Sequence, residues 1–344
     1  MIVMTNTSSY ATYRPWRGAP MSDLKVRRVR FDLAGDDIPF NWHPQRPAFA
    51  MQCNVVSFFA PGFEKLIVAS TREALPLIRD PEMVDEATDY IKQEGQHTAA
   101  HLAHLRALIR RWPGLKETMD EVTASYDRLL ETKPLAWRLA YAAVVEATFT
   151  PYFRVFLDHD DKLFEPGDER VSSLFIWHFV EEMEHRSSAL NVYDAVHDSY
   201  LYRLRTIAGV VKHMNEVLRI VGEGFRAHVP VGEGGEFAEL IPAGVTLRSI
   251  AAVRRFNRTH DEYDTTYADV PLRDMIEMVV GLVRSQAPNH DPFYERLPAF
   301  AARWYRRYDE DPRAAARWYS IGVGEIAKRV PHDSSDAERV TSKA

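Results

Sequence analysis

From Pro47 to about His228, apolar residues return every third or fourth position, glycine is scarce, and alternating runs never exceed a few residues. A stretch of that kind folds as long amphipathic helices packed on one another, so the expected class is all-α. Caps place the helix ends. Asp80-Pro81-Glu82 supplies an N-cap, a proline at the first helical position and an early carboxylate for a helix reaching about Arg111, where Pro113-Gly114 stops it. Pro134 opens a helix to about Asp158, and Pro166-Gly167-Asp168 opens another to about Asp198. A helix from about Ala48 to Ile78, kinked at Pro61-Gly62, precedes them. Four helices of roughly 24 to 31 residues are each about 36 to 46 Å long. Helices of that length pack as a bundle.

The flanks read differently. Residues 1–46 are expected to form a leader and an arm, in which only Lys25–Asp32 suggests extended chain. Residues 47–228 form the bundle, 229–330 a C-terminal helical extension with patterns near 246–257, 272–286, 294–308 and 312–329, and 331–344 a flexible tail. Six of the 16 glycines fall between Gly222 and Gly244, which places the boundary there. No apolar block suits a signal peptide or a membrane span, so no membrane insertion is expected. Lys plus Arg number 43 against 49 for Asp plus Glu, and a net charge of −6 argues against a nucleic-acid partner. Cys53 is the only cysteine, which precludes an intrachain disulfide or a thiolate cluster and makes a reducing cytoplasm the expected compartment. Any metal must be held by nitrogen and oxygen.

Such ligands are present in register. The second helix carries Glu94-Gly-Gln-His97 and the last Glu182-Met-Glu-His185, two Glu-x-x-His pairs at a spacing that lets carboxylate and imidazole reach one ion. Both lie within apolar seams: Tyr90, Ile91, Leu105 and Leu108 flank Glu94, and Val171, Phe175, Ala189, Val192 and Val196 flank Glu182. The other two helices each place one carboxylate on an apolar face, Glu64 and Glu146. No Lys or Arg shares these seams, and a buried carboxylate is costly unless paired or bound to a metal. One Glu from each of two helices plus Glu-x-x-His from each of the others is the pattern of di-iron and di-manganese ferritin-like bundles. His101 and His178 stand one turn from the ligand pairs, either orienting a carboxylate or adding ligands, in which case the site has room for a third ion. Glu181 is almost as well placed as Glu182, but only Glu182 completes Glu-x-x-His. His104 reads as a solvated or capping residue.

These residues resemble a known family. Phe59-Ala-Pro-Gly-Phe-Glu64, Gln93-Glu-Gly-Gln-His97-Thr-Ala-Ala-His101, Glu146-Ala-Thr-Phe-Thr150, Trp177-His-Phe-Val-Glu-Glu-Met-Glu-His185 and Asn191-Val-Tyr193, with the leader Val26-Arg-Arg-Val-Arg-Phe31, look like the ferritin-like bacterial family labelled predicted metal-dependent hydrolase. The resemblance covers roughly residues 25–225. It departs in the first helix, where the family pattern is Pro-x-Gly-Glu and this chain has Pro61-Gly62-Phe63-Glu64. It implies an all-α fold, a ferritin-like four-helix bundle with additional C-terminal helices, and a metal centre.

The ligand set admits several chemistries. The leading expectation is an oxygen-activating di-iron oxidoreductase acting on a small, apolar substrate, with Tyr90, Phe149, Phe153, Phe175 and Trp177 walling a dry pocket. Iron is the expected metal, with manganese or zinc as alternatives, and no dinucleotide motif supplies a reductant, so a separate electron-donor protein is implied. The second reading is a metal-dependent hydrolase using a metal-bound hydroxide, with Glu181 or His178 as proton carrier. The third is a non-catalytic metal store. A homodimer is compatible with all three.

Overall fold

The computed structural model describes residues 24–35, 37–165, 167–240, 270–288 and 290–320. The expected leader over residues 1–20, the helical pattern near 246–257 and the tail 331–344 lie outside them, as does much of the pattern at 312–329. Among the described residues the fold is all helical, with no strand. The arm 24–46 precedes α1 (Pro47–Ala74), α2 (Pro81–Arg111), α3 (Leu115–Thr132), α4 (Leu135–Asp158), α5 (Asp160–Leu163), α6 (Glu169–Glu184), α7 (Ser188–Val196), α8 (Tyr200–His228), α9 (Leu272–Arg284) and α10 (Ala299–Glu310). No described helix is long and apolar enough to cross a membrane.

Local chemistry accounts for several boundaries. Asp80 caps α2 by accepting from the Glu82 amide at 3.0 Å, with Pro81 at the first helical position. Asp168 does the same for α6, accepting from the amides of Arg170 and Val171. The expected helix from Pro166-Gly167-Asp168 to Asp198 is interrupted: α6 ends at Glu184, His185 is its C-cap, and α7 restarts at Ser188. Three helices were not anticipated: the single turn α5, and α3 and α8, which pack on each other and on α1. Gly222 and Gly224 lie inside α8, so the chain turns only after His228, where Gly232 and Gly234 take positive φ. At Gly62 a Cβ would fall 2.5 Å from the Tyr126 ring, so glycine is what lets α1 approach α3 there.

Four helices enclose a common interior. α1 packs against α2 and α4, and α6 against the same two, closing a ring α1–α2–α6–α4. α4 is buried on almost every side because α7, α8 and α9 cover its outer surface. The flanks belong to the same core: Phe40 and Trp42 of the arm and Phe300 and Trp304 of α10 sit in one apolar cluster with Phe175 and Phe179. The arm runs along α2, where the Gln93 amide donates to the Lys25 carbonyl and the Arg110 guanidinium to those of Leu33, Ala34 and Gly35.

Candidate metal centre

Glu64 comes from α1, Glu94 and His97 from α2, Glu146 from α4, Glu182 from α6, and His185 from its C-cap. All six are buried, none more than 2% exposed. Four overlapping sets each bring one ligand atom per residue within 4.8 Å of one another: Glu94, Glu146, Glu182 and His185; Glu64, Glu94 and His97; His97, His178 and Glu182; and Glu64, His101 and His178. His185 Nε2 stands 3.2 Å from Glu94 Oε1, 3.1 Å from Glu182 Oε2 and 3.6 Å from Glu146 Oε2. His97 Nδ1 stands 3.4 Å from Glu182 Oε1 and 3.9 Å from Glu94 Oε2.

The residues present fit a cation. Glu64 Oε1, both oxygens of Glu94, both oxygens of Glu146 and His97 Nδ1 are buried without a hydrogen-bond partner among the described residues. Each such atom costs on the order of 1 to 3 kcal/mol when nothing compensates it. Five carboxylate oxygens and one imidazole nitrogen left open around one interior are a donor set suited to divalent ions.

Partners behind the imidazoles decide which nitrogen faces inward. Glu181 lies on the far side of His97, its Oε2 accepting from Nε2 at 3.0 Å, so Nδ1 is left facing Glu94 and Glu182. Gln93 Nε2 donates to Glu184 Oε2 at 2.6 Å, so its oxygen is the atom 3.0 Å from His185 Nδ1, and Nδ1 carries the proton. His185 Nε2 therefore offers a lone pair to a space ringed by three carboxylates. That arrangement is repulsive unless a positive charge sits among them.

In the metal-free chain, protons take that role. Burial pushes the carboxyls of Glu64, Glu94 and Glu146 up, and neighbouring carboxylates push them further. Burial would also raise Glu182, but His185 and His178 outweigh it and hold it well below the usual carboxylate range. Burial opposes charge on His97 and His185; the hydrogen bond that His97 donates to Glu181 with the Glu182 and Glu94 carboxylates beside it, and the Glu182 charge beside His185, raise both above the usual histidine value.

His178 and His101 form a chain leading away from the cluster. His178 Nε2 is 2.7 Å from Glu182 Oε1 and 3.7 Å from Glu64 Oε1, its Nδ1 is 2.9 Å from His101 Nε2, and Ser57 Oγ bridges His101 Nδ1 and His104 Nδ1 at 2.9 and 2.8 Å. With Glu182 ionised the polarity follows: His178 donates to Glu182, His101 to His178, Ser57 to His101 and His104 to Ser57. His104, expected as a solvated or capping residue, is fully buried and part of this chain. Burial lowers His178 and His104 to about 4. Aromatic rings close the centre: Tyr90 against His185, Trp177 against His97, Phe175 against His101 and Phe153 against His178, with Phe149 packed on Phe153.

One residue escaped the sequence reading. Arg27 of the arm is 4% exposed and pairs with Glu181 and Glu184 at 3.1 and 2.8 Å, so a cation does reach the back of the seam from outside the four helices. The signal was present in Val26-Arg-Arg-Val-Arg-Phe31: a period of two places Arg27 on the face of Val29, Phe31 and Leu33, and that face turns inward, with Arg28 and Arg30 outward.

Comparison with known proteins bears on this site. No curated protein and no solved structure matches the chain. Residues 25–228 match the family described as predicted metal-dependent hydrolase, a span that contains all eight candidate ligands and Glu181. That description agrees with the hydrolytic reading and lends no support to the oxygen-activating one expected from the ligand set alone. On a match over more than half its length, the chain belongs to the predicted metal-dependent hydrolase family.

Proposed function

We propose that this protein is a metal-dependent hydrolase with a two-ion centre in a ferritin-like four-helix bundle formed by α1, α2, α4 and α6. The observation that carries the reading is the set of five buried carboxylate oxygens and His97 Nδ1 that converge without partners. Glu64, Glu94, His97, Glu146, Glu182 and His185 are the proposed ligands, in the arrangement one Glu, Glu-x-x-His, one Glu, Glu-x-x-His along the chain. A donor set of four carboxylates and two imidazoles favours iron or manganese over zinc, which prefers four ligands. Two such ions would supply Lewis acidity and bring the pKa of water near neutrality.

The chain's own groups do the rest. His97 and His185 are held in one tautomer each by Glu181 and Gln93, so both present a lone pair inward. His178 Nε2, beside Glu182 and Glu64, is the proton carrier; behind it His101, Ser57 and His104 keep its Nδ1 as the acceptor. Glu181, the other proton-carrier candidate, sits behind His97 in the grip of Arg27 and orients the imidazole instead. Tyr90, Phe153 and Trp177 exclude bulk water, which strengthens every charge interaction inside.

The test is metal analysis of the purified protein together with hydrolysis of an ester, amide and phosphoester panel before and after chelation. Two ions per chain, one or fewer in His97→Ala and His185→Ala, and chelator-sensitive hydrolysis are expected. Unchanged stoichiometry in both variants refutes the ligand assignment. Rapid oxygen consumption on ferrous loading with no hydrolysis refutes the hydrolytic chemistry.

A further inference from the structure

Behind the proposed ligands, two hydrogen-bonded relays start from a single guanidinium. Arg27 Nη1 donates to Glu181 Oε1 at 3.1 Å, and Glu181 Oε2 accepts from His97 Nε2 at 3.0 Å. The same Nη1 donates to Glu184 Oε2 at 2.8 Å and Nη2 to Glu184 Oε1 at 2.9 Å. Glu184 Oε2 accepts from Gln93 Nε2, and Gln93 Oε1 accepts from His185 Nδ1. The imidazoles of both Glu-x-x-His pairs thus lead back to one side chain, which belongs to the arm and to none of the four helices.

We propose that Arg27 is the positioning residue for both imidazoles of the centre, and that the arm and α10 together form the clamp that holds it. The proposal rests on the metal-centre reading above. The first relay keeps Glu181 turned as an acceptor toward His97 Nε2, which leaves Nδ1 for a metal. The second helps decide which way the Gln93 amide points: with Glu184 fixed by a bidentate pair and the Lys25 carbonyl beside it, the NH2 end is taken and the oxygen faces His185. Without Glu184 the amide keeps only its 3.2 Å bond to the Lys25 carbonyl, to which Arg27 Nη1 also donates, and a flip would present NH2 to Nδ1 and move the imidazole proton to Nε2, among Glu94, Glu146 and Glu182.

The clamp is built from both ends of the chain. The guanidinium carbon lies 5.6, 5.1 and 5.4 Å from the ring centroids of Trp304, Tyr305 and Tyr308, all on α10. The Tyr305 hydroxyl donates to the Val180 carbonyl at 3.1 Å, docking α10 on α6, and Lys25 pairs with Asp309 at 2.5 Å across the arm. A lysine keeps the charge but lacks the planar fork that reaches both carboxylates. This gives the segment beyond α8 a role at the centre although it supplies no ligand.

The experiment uses the full-length protein with zinc as probe. Zinc affinity by chelator competition and 15N-histidine NMR of the imidazole nitrogens are compared for wild type, Arg27→Met, Arg27→Lys, Glu181→Gln and Glu184→Gln. Arg27→Met is expected to weaken zinc binding about 10- to 100-fold and to shift the His97 and His185 signals together, with Arg27→Lys losing less. Glu181→Gln is expected to move His97 alone and Glu184→Gln His185 alone, a split that simple destabilisation would not produce. The proposal is overturned if Arg27→Met binds zinc within about twofold of wild type with both imidazoles unmoved, or if the two glutamine variants disturb both imidazoles alike. If Arg27→Met does not fold, the two glutamine variants decide alone. A wild-type chain that takes up no zinc, iron or manganese overturns the metal-centre reading itself and this inference with it.

Discussion

Replacing Glu146 by methionine should stabilise the protein without metal and lose most of that gain when metal is bound. Glu146 is 2% exposed, neither of its oxygens accepts a hydrogen bond among the described residues, and His185 Nε2 stands 3.6 Å off. The charges of Glu182 and Glu94 beside it add repulsion to the cost of burial. Methionine has similar length and no polar atom to bury, so in the metal-free protein Glu146→Met should recover about 1 to 3 kcal/mol. At roughly 1.4 °C per kcal/mol for a chain of this length, that raises Tm by about 1.5 to 4 °C. In the loaded protein the same change removes a ligand; a 10- to 100-fold loss of metal affinity forfeits about 1.4 to 2.7 kcal/mol of ligand-linked stability. Melting curves of both proteins at pH 8, in chelator and in saturating metal, decide the matter. A variant that lowers Tm equally in both conditions would refute the argument, because Glu146 would then be held by the fold and not waiting for a cation.

Two further outcomes follow from the same geometry. Glu64, Glu94, Glu146, His97 and His185 all hold their protons to higher pH than usual in the metal-free chain. Metal uptake must therefore expel protons, and affinity should tighten as pH rises through that range; a dye titration in weak buffer reads the release, and none at pH 6 to 7 would contradict the assigned ligands. By linkage, the raised carboxyls penalise the metal-free fold increasingly above the unfolded carboxyl pKa of about 4.5. The raised histidines stabilise it below the unfolded value of about 6.5 and lose that contribution as pH climbs, whereas the buried His43, His101, His104, His178 and His213, all held below that value, favour the fold increasingly up to about pH 6.5, so stability without metal should fall above about pH 6.5 toward pH 8. Separately, Asp168→Ala removes the cap of the helix carrying His178, Glu181 and Glu182, together with the Asp168–Arg170 pair, and should cost about 1 to 2 kcal/mol in a thermal melt.

Much of the centre was legible because burying a carboxylate is expensive, so Glu64, Glu94, Glu146 and Glu182 on apolar seams already required compensation. Helix α2 was equally legible, since Asp80-Pro81-Glu82 and Pro113-Gly114 mark its ends by local chemistry. The break at His185 was not, because His185-Arg-Ser-Ser contains neither glycine nor proline and the restart at Ser188 depends on tertiary packing. Nor was the burial of His104, whose environment comes from Ser57 on another helix, 47 residues away in sequence. Arg27 shows the general reason: a periodicity argument confined to the helices cannot see a cation delivered by a segment outside them.

That break gives the two halves of the centre unequal stiffness. His97 rides mid-helix on α2, with regular turns above and below it, whereas His185 sits where α6 stops, and a turn of three residues separates Glu184 from α7. Changes at Arg186 or Ser187 can therefore move one imidazole while the other keeps its place, without rebuilding the bundle.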